Sequence, residues 1–215
     1  MNKLIGTALS AAALTFAAAP AAAGEVVNES RAVDGRVVKI KLDGVINLHV
    51  KQGATPSLTL HGDKRYVSKV KLEQHGDTLR IGTEKAGWSF GSDKHDVRAE
   101  LTLPNLTELS SDGVGATEVS GFTGDTMTLA LDGAGSLKMT GSYKTINSRM
   151  GGVGSMTLNA GSTDMVDLNM RGAGSITING HSRMLRARLG VGPTRPDDLG
   201  RRVVEHVVER PLEGD

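Results

Sequence analysis

Two aspartates, Asp112 and Asp132, stand twenty residues apart, each directly before a Gly-x-Gly triplet. If the chain stacks on itself with that period, neighbouring strands bring the two carboxylates within about 5 Å of each other. Paired carboxylates at short range do acid/base work on glycosidic bonds or hold calcium. Asp43 has the same place in a weaker, earlier copy, Leu42-Asp43-Gly44-Val45-Ile46-Asn47-Leu48-His49-Val50. The next two copies carry Gly151 and Arg171 there, so the column of acids does not persist. Asp before Gly is also the commonest turn pair, and a turn role for Asp112 and Asp132 outweighs a catalytic one. The calcium-binding nonapeptide Gly-Gly-x-Gly-x-Asp is absent, because Ser or Ala follows the glycine pair and no aspartate sits two beyond.

Other chemistry is excluded more simply. The histidines (His49, His61, His75, His95, His181 and His206) show no metal-ligand spacing. His49 and His61 are expected to face one another only if they fall on adjacent strands. A phosphate cradle needs a helix to start at its glycines, whereas Leu137-Lys138-Met139 and Ile176-Thr177-Ile178 read as strand. No Gly-x-Ser-x-Gly nucleophile elbow occurs. The reading therefore assigns no catalytic residue, no metal and no cofactor.

The elements that position these residues are short strands. Four triplets recur about twenty residues apart: Gly113-Val114-Gly115, Gly133-Ala134-Gly135, Gly152-Val153-Gly154 and Gly172-Ala173-Gly174. A further glycine follows each, as Gly121, Gly141, Gly161 and Gly180. Each unit reads apolar, x, apolar, x, Gly, small, Gly, small, apolar, x, apolar, x, Gly, and a later apolar residue recurs as Met127, Ile146, Val166 and Leu185. Period-two alternation is a strand signal, and its repetition at a fixed longer period signals a stacked array. The spacing predicts an all-β parallel β-helix with coils of about 20 residues, the glycines (Gly113, Gly115, Gly133, Gly135, Gly152, Gly154, Gly172, Gly174) forming its corners. An antiparallel meander of twenty-residue hairpins is the alternative, since a period does not set strand direction. Residues 37–103 show the same alternation with Gly/Asp turns, and read as degenerate coils before the regular repeats of 109–192. Glu84 to Asp96, with Trp88, reads as a loop. Thr128, Thr140, Thr157, Asn159, Asn169, Thr177 and Asn179 are expected to form one polar, uncharged outer face.

Composition sets the surroundings. Met1-Asn2-Lys3 begins a short basic segment, Leu4 to Ala19 is small and apolar, and Pro20-Ala21-Ala22-Ala23 offers a cleavage site before Gly24. That layout over residues 1–23 is a secretory signal peptide, which predicts a periplasmic or secreted product with no later membrane span. There is no cysteine, so burial and backbone pairing must hold the fold. A formal charge of +1 excludes a general nucleic-acid binder, and 3% aromatic residues leave little for stacking platforms. Residues 193–215 leave the pattern. The fifth copy, Leu185-Arg186-Ala187-Arg188-Leu189-Gly190-Val191-Gly192, lacks a glycine, and Pro193, Pro196 and Pro211 with many arginines follow. Either a reading-frame change has replaced repeat sequence, or Leu199, Val203, Val204, Val207 and Val208 form a capping helix behind Asp197-Asp198.

Gln52-Gly53 after a strand, Gly76-Asp77-Thr78-Leu79-Arg80-Ile81, Leu103-Pro104-Asn105-Leu106 and the repeated Gly-Ala-Gly-Ser together resemble the head GIN domain family. The resemblance covers roughly Val37 to Arg188. It implies a right-handed β-helix on an exported bacterial protein, and brings no catalytic motif with it. The expectation is an exported, non-enzymatic β-helix with a structural or adhesion-type role at the envelope, its partner an envelope glycan or protein. The alternatives are a carbohydrate-active enzyme using Asp112 and Asp132, and an envelope protein that self-associates through open coil edges.

Overall fold

Each Gly-x-Gly triplet opens a long strand. The structure, a computed structural model, describes residues 25–83 and 97–190 together with the backbone of 204–205. The leader 1–23, the polar stretch Glu84 to Asp96 with Trp88 and His95, and His206 with most of the C-terminal tail lie outside the described residues. In chain order the elements are β1 (Val26–Arg31), β2 (Lys39–Leu42), β3 (Asn47–Gln52), β4 (Ser57–Asp63), α1 (Lys64–Val67), β5 (Val70–His75), β6 (Thr78–Thr83), β7 (Arg98–Leu103) and β8 (Glu108–Ser111). The long strands β9 (Val114–Leu131), β10 (Ala134–Met150), β11 (Val153–Met170) and β12 (Ala173–Leu189) follow, then β13 (Val204–Glu205).

The regular repeats stack in parallel. Gly115, Gly135, Gly154 and Gly174 fall in one column, and Leu129, Ser148, Leu168 and Ala187 in another. A residue therefore lies over its counterpart 19 or 20 places earlier, and each strand wraps once round a β-solenoid. This parallel register rules out the antiparallel meander. β-Branched residues suit the pleated faces, and the coil bends at Gly113, Gly133, Gly152 and Gly172.

Residues 37–103 are less simple than a run of degenerate coils. The copy around Asp43 does stack under the first regular repeat, since β2 pairs β8 and β3 pairs β9 in parallel, with Val45 opposite Val114. The chain then leaves that coil, forms β4, α1 and β5, and returns as β6 and β7 on the other side of β2 and β3. The first coil in sequence is thus the second in space. Antiparallel strands close this end, with β5 on β6, β4 on β7 and β1 on β4. Such an end cap satisfies backbone groups that an open parallel coil would leave as a sticky edge.

The core is a set of in-register columns. Leu48, Thr117, Leu137, Met156 and Ile176 follow one another up the stack, as do Val50, Val119, Met139, Leu158 and Ile178. All ten are buried. Each large aliphatic side chain so placed stabilises the fold by about 2 kcal/mol relative to exposure. Thr117 breaks the apolar pattern, and its Oγ1 is buried without a hydrogen-bond partner. Thr117→Val removes that orphan while keeping the shape. The variant is expected to gain about 1 kcal/mol in urea unfolding, and a loss of stability would contradict this packing.

Candidate functional site

Asp43, Asp112 and Asp132 do stand in one column at the glycine corner. The amide of Asp112 donates to the Leu42 carbonyl at 2.9 Å, that of Asp132 to Ser111 at 2.9 Å, and that of Gly151 to Leu131 at 2.9 Å. The same ladder carries Arg171 above them, bonded to Met150 at 2.8 Å. The two glycines of each triplet do different things there. Gly133, like Gly113, Gly152 and Gly172, lies so close to the glycine carbonyl of the coil below that an added Cβ would overlap it. Gly115 has φ +142°, and a Cβ there would sit 2.6 Å from the Ile46 carbonyl oxygen; Gly135, Gly154 and Gly174 share that backbone. The acids thus occupy a tight, exposed ridge formed by backbone stacking.

Two of the three acids are already neutralised. Arg80 reaches diagonally from β6 to Asp43, with Nε 2.7 Å from Oδ2, and Arg149 reaches from β10 to Asp132. Asp112 lies between them, with no ion pair of its own among the described residues. Partial burial, then the negative charges of Asp132 and Asp43, push its carboxyl above the usual aspartate value of 3.8. The folded state therefore binds this proton more tightly than the unfolded chain, and stability falls as the pH rises through the interval between the two values. Asp112→Asn is expected to be more stable than the parent at pH 7 by about 0.5 kcal/mol, the size of a like-charge cross-strand penalty. In urea titrations the gain should vanish at acid pH, where the Asp112 carboxyl of the parent is protonated. A gain that persists there would point to packing instead of charge.

As a catalytic pair Asp112 and Asp132 are poorly equipped. Asp132 is committed to Arg149, and both acids stand on a convex corner facing solvent. Among the described residues no group of three or more His, Asp or Glu side chains is placed to hold a metal ion. His49 and His61 do not face each other. Strand β7 runs between β3 and β4, so Glu100 separates the two rings. His49 Nδ1 lies 3.5 Å from Glu118, while His61 Nδ1 lies 2.6 Å from the Asn28 side-chain oxygen.

The outer polar residues divide into two faces that meet at the glycine corner. Thr140, Thr157, Asn159, Thr177 and Asn179 lie after the corner, whereas Thr128 and Asn169 lie before it, on the other face. A single polar face is therefore corrected to two. On the first, Thr140, Asn159 and Asn179 form a hydrogen-bonded ladder, the Asn159 amide donating to Thr140 at 3.2 Å and the Asn179 amide to Asn159 at 2.8 Å. Ser136, Ser155 and Ser175 run parallel to it. Lower on this face the row of Thr157 and Thr177 turns ionic, with Lys138 bonded to Glu118 at 2.9 Å and holding that carboxyl below its usual range. A groove of about 320 Å³ opens there between His49, Lys51, Arg98, Glu100, Glu118 and Ser120.

On the second face the small side chains of Ser110 and Ala130 leave a shallow, open groove of about 360 Å³. Glu108, Thr128, Asn147, Arg149, Asp167 and Asn169 surround it. Asn147, Arg149 and Arg80 were not singled out in the sequence. The repeat register could have located Asn147, one coil above Thr128. The arginines act diagonally across coils, so a row-by-row alignment does not reveal their partners.

The chain belongs to the family described as "Putative auto-transporter adhesin, head GIN domain", whose model matches residues 38–182. Among solved structures it is similar to a putative adhesin from Bacteroides fragilis, at 20% identity and TM-score 0.55, covering 76% of this chain and 92% of that one. It is also similar to a putative adhesin from Parabacteroides distasonis, at 19% identity and TM-score 0.63, covering 74% and 67%. A putative lipid binding protein from Parabacteroides distasonis matches at 14% identity and TM-score 0.51, covering 78% and 96%. At these identities the likeness concerns the fold alone. No curated protein matches the sequence.

Proposed function

We propose that the mature chain is an exported, non-enzymatic module that binds an envelope glycan or an envelope protein through its flat outer faces. The observation that carries this reading is the register itself. Hydroxyl and amide side chains repeat in straight rows at the spacing of adjacent strands, about 4.8 Å, while Asp43 and Asp132 of the nearby acids are tied to arginines. Such rows suit a partner that offers its own donors and acceptors at regular intervals, as a polysaccharide does. Family membership supports an adhesion-like role and an envelope or extracellular location. Among the described residues no helix is long and apolar enough to cross a membrane.

The competing reading is a carbohydrate-active enzyme working through Asp112 and Asp132, favoured only by the raised Asp112 carboxyl. A glycan array probed with the chain from Gly24 onward, run beside a polysaccharide turnover assay, separates the two. The expected result is saturable binding without product. Turnover that disappears in Asp112→Asn and Asp132→Asn would overturn the binding-module reading.

A further inference from the structure

The two ends of the solenoid differ. At the β6–β7 end, β5, β4 and β1 close the stack by antiparallel pairing. At the other end, β12 is paired on its outer side only at Ile176 and Thr177, by the two residues of β13. Beyond those residues its edge presents a ladder with no described strand on it. Past the buried Ile178, the apolar side chains of β12 are also uncovered. Met184 and Leu189 are 47% and 43% exposed, and Leu185 is only partly buried. Beneath them the Thr163 hydroxyl is buried without a partner in a crevice lined by Ala160, Val166 and Ile178. Unpaired edges joined to exposed apolar residues invite strand addition.

Charge narrows what can sit there. From Arg171 to Gly190 the chain holds Arg171, Arg183, Arg186 and Arg188 and no acid. Asp164 and Asp167 of the coil below face Arg183 and Arg188, whereas Arg171 and Arg186 have no ion pair among the described residues. A second copy docked end to end would set one arginine rim against another, which like-charge repulsion disfavours. The residues after Gly190 have the complementary balance, with six acids (Asp197, Asp198, Glu205, Glu209, Glu213, Asp215) against four arginines.

We infer that the chain's own C-terminal segment completes the solenoid by extending a parallel strand along the open edge of β12. Its start is already placed, because Val204 pairs with Ile176 and Glu205 with Thr177 in the same parallel sense as every coil below. The offset between partners is 28 residues there, against 19 or 20 in the regular coils. The additional residues fall where Pro193 and Pro196 stand, and proline cannot donate to a ladder. The occupant is this chain, and the arginine rim selects its acidic tail over a second copy.

Hydrogen exchange followed by mass spectrometry tests this on the full chain and on a chain ending at Gly190. A full-length variant with Val204→Pro and Glu205→Pro removes both backbone donors without shortening the protein. The expected result is a monomeric full chain in which the amides of residues 178–187 exchange at least tenfold more slowly than in either variant, with β10 protected equally in all three. Equal exchange of residues 178–187 in all three proteins would overturn the inference. So would protection of those amides that rises with protein concentration alongside a dimer in sedimentation, since the occupant would then be a second copy.

Discussion

Gly133→Ala is expected to cost about 3 kcal/mol or more, the upper range for forcing an atom into a filled site. The added methyl meets the Gly113 carbonyl oxygen and the backbone carbons of Asp112 and Gly113, none of which can rotate away. Relief requires the two coils to separate at the corner, which lengthens the ladder bond from the Ala134 amide to the Gly113 carbonyl, now 3.0 Å. Gly161→Ala provides the internal comparison. A Cβ there meets only the Ser142 hydroxyl, at 3.2 Å, and that hydroxyl is free to turn. Its cost should stay within about 0.5 kcal/mol, as for an ordinary surface change. Thermal unfolding of the two variants side by side reads the difference directly. Similar losses from both would mean that the corners are not close-packed as described.

Truncating Tyr143 is the second large effect. Its ring is fully buried, and its hydroxyl donates to the Leu106 carbonyl at 2.7 Å. Leu106 lies just after β7, where the chain passes from the inserted cap back into the regular stack. Tyr143 thus ties the first regular coils to the crossover. Tyr143→Ala should lose about 4 kcal/mol through the cavity, and Tyr143→Phe about 1 kcal/mol through the unpaired carbonyl. Burial pushes the phenol up to about 12 from its ordinary 10. The unfolded chain releases that proton first, so the parent should lose stability as the pH rises from about 10 to 12. Tyr143→Phe should lack this part of the alkaline loss, which equilibrium unfolding of both proteins across that range can measure.

Much of this architecture was legible because a solenoid writes its register into the sequence. Asp43 has the same place in a weak copy of the repeat as Asp112 has in the first regular one, and the two stack although about seventy residues separate them in the chain. The apolar columns could be read in the same way, since Leu137, Met156 and Ile176 share one position in the unit. Three things could not be read. The passage of β6 and β7 to the far side of β2 and β3 depends on which edge is open when the chain returns, and alternation carries no such information. Thr157 and Asn169 look equivalent as outward polar residues, but they lie on opposite sides of the register shift between Asn159 and Ser162 and so fall on different faces. The pairing of Asp132 with Arg149 runs diagonally between coils, a relation that rows of equivalent residues do not display.

The C-terminal tail shows where pattern reading ends. Helical spacing of its valines suggested a capping helix, while Val204 and Glu205 pair as strand with β12. The remaining tail residues of that expectation lie outside the described residues.

The proposed function requires polar faces that bind and no face that catalyses. Retention of the purified chain on immobilised envelope polysaccharide tests it most directly, comparing the parent with Thr157→Lys/Asn159→Lys on one face and Asn147→Lys/Asn169→Lys on the other. Saturable retention of the parent is expected, with at least tenfold weaker retention for one of the two variants and no soluble sugar released by any of the three. Release of sugar by the parent that Asp112→Asn abolishes, or retention unchanged by both surface variants, would contradict it.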